Sequence, residues 1–124
     1  MIGALVTVTV AMLAVTAVSL WTARRAAAGT LRRNDMIGIR TATTRASDDA
    51  WIAAHHAGAA DLRRAGIGAA ATAVMPWAAL LVPPPAQEPV IAVTVLVGVA
   101  LLIGFSVRAG VVGQRAARAV VERG

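Results

Sequence analysis

The chain has 124 residues, 58% of them hydrophobic and 15% charged, where a soluble domain carries about 25% charged residues. That is too little polar surface to wrap a water-soluble core of such apolarity, and the absence of cysteine excludes disulfides, zinc–thiolate sites and thiol catalysis. The net charge of +6 comes entirely from arginine; because it lies beside apolar runs, it points to anionic lipid head groups and away from nucleic acid.

The first run, Met1–Ala23, holds no charged side chain, and the first charges are Arg24 and Arg25. A helix rising about 1.5 Å per residue needs roughly 20 residues to cross a hydrocarbon layer of roughly 30 Å, so residues 2–22 are predicted as a first span. A cleaved signal peptide would carry a basic start and a core of roughly 7–15 apolar residues; this run fits neither, and a retained span is expected. Thr7, Thr9, Thr16 and Ser19 are placed to hydrogen-bond across to neighbouring helices. Trp21 marks the end of the span, as an interfacial tryptophan does.

Segment 23–64 is polar and carries eight arginines against four aspartates. Its second half reads as a helix. Ser47 is a good N-cap, and Asp48 and Asp49 occupy the first turn, where the positive helix end favours them. Trp51, His55, Gly58 or Ala59, and Leu62 then share one face. This is expected to be an amphipathic stem lying on or rising from the inner leaflet, able to run straight into the next span. The first half, Asn34–Thr44, is not helix-like: Gly38 sits between Ile37 and Ile39, with Thr41, Thr43 and Thr44 following. Gly38 suits a turn or a close backbone approach. Arg40 beside three hydroxyls is suited to hold a carboxylate or phosphate oxygen, or a lipid phosphate in the simpler reading.

The second uncharged run is Ala65–Val82. Pro76 within it removes a helical N–H and predicts a bend, and Trp77 sits near the far interface. Small residues recur at Gly66 and Ala70, and at Gly68 and Thr72, with Gly98 and Gly104 in the third run, so the spans are expected to approach closely. Residues 83–89, PPPAQEP, are predicted as a stiff Pro-rich turn, followed by a third span at 90–107 and a basic tail at 108–124. The fold class is therefore all-α: one membrane domain over 1–124 with three transmembrane helices and a cytoplasmic juxtamembrane helix. Segment 83–89 has no arginine, whereas 108–124 has four against one glutamate. Short arginine-rich segments stay cytoplasmic. The N-terminus and the proline turn are thus expected outside, and segment 23–64 and the tail inside, a cell membrane.

No Asp, Glu, Lys, Arg or His lies within the three runs, which disfavours an ion-coupled pump. His55 and His56 are adjacent and diverge on a helix, so they do not form an i,i+4 metal pair; no metal or cofactor is expected. His55 stands one turn after Trp51 and can stack on it, a structural or pH-sensitive placement. No nucleophile–base arrangement or phosphate-binding loop is present, so no catalytic residue is expected.

The stretch Asn34, Ile37-Gly38-Ile39-Arg40-Thr41, Thr44, Ser47, Asp48, Trp51, His55 and Gly58 resembles the SdpI family of bacterial membrane proteins. The pattern covers about 25 residues, flanked by spans where the family has them. This chain matches the short three-span form; the family's namesake type carries further spans before the module. The resemblance implies a non-enzymatic protein giving immunity to a secreted killing peptide, or relaying its presence by capture of a cytoplasmic repressor. It marks Asn34, Gly38, Arg40, Thr41, Thr44, Trp51 and His55 as the signature, partner-binding site. The partners so implied are a peptide toxin or a cytoplasmic regulator, beside the anionic bilayer and a second copy of the chain. Competing readings are a small oligomeric transporter with Thr hydroxyls and the Pro76 kink along its path, and a structural subunit of a membrane complex. The least favoured is an enzyme acting on lipid head groups through Asn34, Arg40 and His55.

Overall fold

A computed structural model describes residues 1–124 and contains helices and connecting turns, with no strand. Helix α1 spans Ile2–Ala27, α2 spans Asp48–Val74 and passes into a 3-10 segment at Met75–Leu81, and α3 spans Pro84–Val121. All three are long and apolar enough to cross a membrane. α2 is the central element: α1 and α3 each pack along it and scarcely touch one another.

The helix ends follow from local chemistry. α1 outruns its uncharged segment by one turn, so that Arg24 and Arg25 lie in its last turn, where cations favour the negative helix end. It closes on Gly29, whose φ of +68° is a left-handed conformation suited to glycine. The Thr30 N–H then bonds the Arg25 carbonyl at 2.9 Å and the Gly29 N–H bonds Ala26 at 3.3 Å, the two bonds of a Schellman stop. α2 begins at Ser47, whose hydroxyl accepts from the Ala50 N–H at 3.0 Å.

Two element junctions are set by the structure. The stem expected ahead of the second span runs straight into it: Asp48–Val74 is one unbroken α-helix. Nothing at Leu62–Ala65 breaks it, since leucine, arginine and alanine are strong helix formers. The proline turn also shrinks to Val82–Pro83, because residues 84–89 form the start of α3. Proline suits a first helical turn, where its missing N–H would have had no partner. Pro76 acts as a breaker, but as a switch from α to 3-10 geometry starting at Met75.

α3 has 38 residues, about 57 Å at the standard rise, far more than a hydrocarbon layer. Its last turns continue past the apolar run and pair with the first turns of α2. There Ala50, Ala54 and Ala117 form a small buried core with Val120 against it. The irregular segment between α1 and α2 packs onto this extension.

Within the spans, contact is made by small residues. An added Cβ on Gly66 would come within 2.8 Å of Leu20 and 3.2 Å of Ser19 on α1. One on Gly98 would meet Thr72 Oγ1 at 1.9 Å. Of the α1 hydroxyls expected to bond across, only Thr9 does: it donates to the Ala73 carbonyl at 3.0 Å and accepts from the Trp77 indole at 2.7 Å. Thr7 and Thr16 bond their own helix one turn back, which satisfies a hydroxyl in lipid without a neighbour. Gly104, expected to pack, has open space around its Cβ position.

Gly98→Ala is therefore expected to destabilise the α2–α3 pair by about 1–3 kcal/mol. Gly104→Ala is expected to be neutral or stabilising, since alanine is the better helix former. Thermal unfolding of both variants in one detergent checks the contrast.

Candidate functional site

The sequence signature is gathered where residues 28–47 cross the extension of α2 and α3. Its centre is His55, on the part of α2 that precedes the apolar run 65–82, and 1% exposed. The ring accepts a hydrogen bond at Nε2 from the Ile39 backbone N–H at 2.8 Å, and Nδ1 lies 2.8 Å from the Trp51 carbonyl. An acceptor at Nε2 places the proton on Nδ1, so the geometry describes a neutral imidazole with both nitrogens used. Trp51 is equally buried and tilts against the His55 ring, with centroids 4.1 Å apart. Its indole N–H donates to the Leu31 carbonyl at 2.8 Å. One turn of α2 thus holds the irregular segment at two points, through Trp51 at Leu31 and through His55 at Ile39.

Gly38 makes this approach possible. Its φ is +111°, and an added Cβ would lie 2.4 Å from His55 Nε2, so both conformation and space demand glycine. The next side chain, Ile39, wedges between α2 and α3. Its Cδ1 sits within 2.9 Å of where a Gly58 Cβ would be and 2.7 Å of where a Gly113 Cβ would be. The glycines are gaps that Ile39 fills.

A second knot surrounds Thr44, which is fully buried. Its hydroxyl donates to the Ile39 carbonyl at 2.7 Å and accepts from the Thr41 N–H at 2.9 Å. Thr41 Oγ1 donates to Gln114 Oε1 at 2.5 Å, and Gln114 Nε2 donates to Thr43 Oγ1 at 2.9 Å. The Gln114 amide of α3 therefore clamps two threonines of the segment. Asn34 turns the chain earlier: its Oδ1 accepts from the Met36 and Ile37 N–H groups, and its amide donates to the Arg32 carbonyl.

Arg40 departs from expectation. It is exposed, and its guanidinium donates to the Asp35 carbonyl. The neighbouring hydroxyls face the other way, toward Ile39 and Gln114, so no anion-holding group of Arg40 and three hydroxyls assembles. Short polar side chains satisfy nearby backbone groups first, and the buried points of the segment, Leu31, Ile39 and Thr44, need partners for their backbone groups. The remaining surface pairs, Arg45–Asp35 at 2.8 Å and Arg33–Asp48 at 3.3 Å, are exposed and contribute little.

Three participants were not anticipated: Gln114, the Ile39 wedge, and Asp61. Asp61, with its side chain 6% exposed, accepts from Arg64 at 2.7 Å and stands 3.4 Å from Arg108 of α3. Gln114 had a sequence signal, as the sole uncharged hydrogen-bonding side chain in 108–124. Outside the knots, Met36 stands 82% exposed. A cleft of about 610 Å³ opens beside it toward α1, between Trp21, Arg25, Arg32 and Ile37. Arg25 lies over the Trp21 ring at 5.1 Å.

Burial holds the His55 pKa below its ordinary value, partly offset by the hydrogen bond to the Trp51 carbonyl. A lowered folded-state pKa means that the unfolded chain binds more protons, so this contribution to stability is complete above the ordinary histidine pKa of about 6.5 and falls away as pH drops below it. Protonation also removes the acceptor for the Ile39 N–H. The protein is expected to lose stability on acidification below about pH 6.5, with His55→Gln flattening that slope; melting temperatures from pH 5 to 8 check it. Gly38→Ala is expected to detach the segment at neutral pH, read as faster hydrogen exchange at the Ile39 amide.

The family model described as the SdpI/YfhL protein family matches residues 30–108, which contain the irregular segment, α2 and most of α3. No curated protein and no solved structure matches the chain. The match covers well over half of the sequence, and the chain belongs to the SdpI/YfhL family as a multi-pass membrane protein. Gln114 lies beyond the matched stretch.

Proposed function

We propose that this SdpI-family membrane protein acts without catalysis, in immunity to or sensing of a secreted antimicrobial peptide. The observation carrying this reading is the use made of the signature. Asn34, Thr41, Thr44, Trp51 and His55 direct their polar groups to the protein's own backbone and to Gln114. A reactive site needs groups aimed at a substrate; these groups order a segment. What they leave facing outward is a firm rim of Met36, Arg32 and Arg40 beside the Trp21–Arg25 cleft. An exposed methionine among arginines and a tryptophan suits protein recognition, where aromatic, Met and Arg side chains are enriched. The partner would be the peptide itself or a cytoplasmic regulator.

In this reading the rim is cytoplasmic. The support is the arginine asymmetry: every arginine lies in 23–64 or 108–124, and none in the proline turn. A peptide engaging the spans from outside would then alter a segment latched to the same α2.

The chain has no cysteine, so single introduced thiols report sidedness. Glu88→Cys is expected to react with a membrane-impermeant reagent in intact cells, and Ala42→Cys only after permeabilisation; the reverse pattern overturns the topology. Deletion of the gene is expected to raise sensitivity to membrane-active peptides or change transcription of neighbouring genes. Wild-type protein, but not Gly38→Ala expressed at equal level, should restore it. A deletion strain unchanged in both respects would remove the proposal.

A further inference from the structure

The face of α1 and α2 opposite the latched segment carries a separate groove of about 690 Å³. Its polar lining is Arg24 of α1 with His56 and Arg63 of α2, and its apolar lining includes Leu20, Ala60 and Ile67. None of this lining belongs to the signature. Neither Arg24 nor Arg63 forms an ion pair or a side-chain hydrogen bond, although Arg33, Arg45, Arg64 and Arg108 all pair with aspartates.

The arrangement has a direction. Gly66 against Ser19 and Leu20 sets the register of the antiparallel pair, and this places Arg24 and Arg63 at one level. On α1 the aliphatic Leu20 stands one turn before Arg24; on α2 Ile67 stands one turn after Arg63. Residues four apart share a helix face, about 6 Å apart along the axis. Because the helices run in opposite directions, both turns point the same way: two guanidiniums on the outer level, two aliphatic side chains beneath. The outer level is where the apolar run of α1 ends and that of α2 begins, the level of phosphates in a bilayer.

We propose that this groove is a binding site for an acidic glycerophospholipid. Arg24 and Arg63, joined by the His56 ring, hold the phosphodiester through charge-assisted hydrogen bonds, and one acyl chain lies against Leu20 and Ile67. Guanidinium is the group best matched to phosphate oxygens. Charge alone would serve any anion; the aliphatic level beneath it selects an amphiphile. The site requires the helices to cross a bilayer and is independent of the peptide-sensing role.

The test uses the full-length protein in mild detergent, titrated with phosphatidylglycerol and read by native mass spectrometry. Phosphatidylcholine and inorganic phosphate serve as comparison probes. One phosphatidylglycerol is expected to bind in preference to phosphatidylcholine, and the pair Arg24→Gln with Arg63→Gln to weaken it about tenfold or more, as loss of charge-assisted bonds implies. The control pair Arg115→Gln with Arg118→Gln removes the same charge elsewhere and should leave binding unchanged. Ile67→Ser removes half of the aliphatic level, touches no charge, and should also weaken binding. Equal loss in the control pair would mean diffuse charge attraction and would overturn the site. So would displacement of the lipid by equimolar inorganic phosphate, or full binding in the Arg24/Arg63 pair. Melting temperatures of each variant in phosphatidylcholine vesicles, with and without one part in five phosphatidylglycerol, give a second reading. Only the Arg24/Arg63 and Ile67 variants should lose the gain that phosphatidylglycerol confers, and a gain kept by both would equally overturn it.

Discussion

Everything in this molecule is built on the close approach of other chain segments to α2. Hydrophobic burial gives helices in lipid little reason to associate, so contact must come from fit and from hydrogen bonds. α2 supplies the fit with small residues on successive faces. Gly66 admits α1, Gly58 admits Ile39 and the α3 backbone at Ala109, and Thr72 fills the space left by Gly98. Beyond the apolar runs, alanines at 50, 54 and 117 keep α2 and α3 in contact. Larger side chains at these places would separate the helices, and the irregular segment would lose the surface it rests on.

The segment from 28 to 47 has no regular structure, yet it is hydrogen-bonded to both α2 and α3. An irregular chain against a protein surface must find a partner for each buried polar group. Here α2 gives an indole donor and an imidazole acceptor, α3 gives an amide, and Thr44 closes the chain on itself. His55 stands out among these because its acceptor role exists only in the neutral ring. The hold at Ile39 is therefore tied to protonation state, while those at Leu31 and Thr43 are not.

The charged groups divide by location. Asp61, paired with Arg64 on its own helix, joins α2 to α3 through Arg108, where the helices leave their apolar runs. Arg33 and Arg45 pair with aspartates at the exposed edge of the segment. The arginines on the α1–α2 side stand beside aliphatic side chains with no carboxylate near, a different chemical setting from those that tie the protein together.

Much was legible in the sequence because the relevant physics is local or periodic. Uninterrupted apolar runs set the number of spanning helices. Ser47 with two aspartates after it set the start of α2, and the spacing of Trp51 and His55 placed both on one face. The motif around Gly38 carried the family. Other features depended on what the chain meets in space. The prolines after residue 83 read as a turn, and only the start of α3 showed that proline is acceptable in a first helical turn. Arg40 and its hydroxyl neighbours read as an anion holder; the fold turned the hydroxyls inward because short polar side chains satisfy nearby backbone groups first. Which nitrogen of His55 accepts, that Gln114 grips Thr41 and Thr43, and that Ile39 occupies the space of two absent Cβ atoms all involve residues far apart in the chain. A pattern along one dimension records what each residue prefers, but the partner that satisfies it is decided when three helices and a loop compete for the same volume.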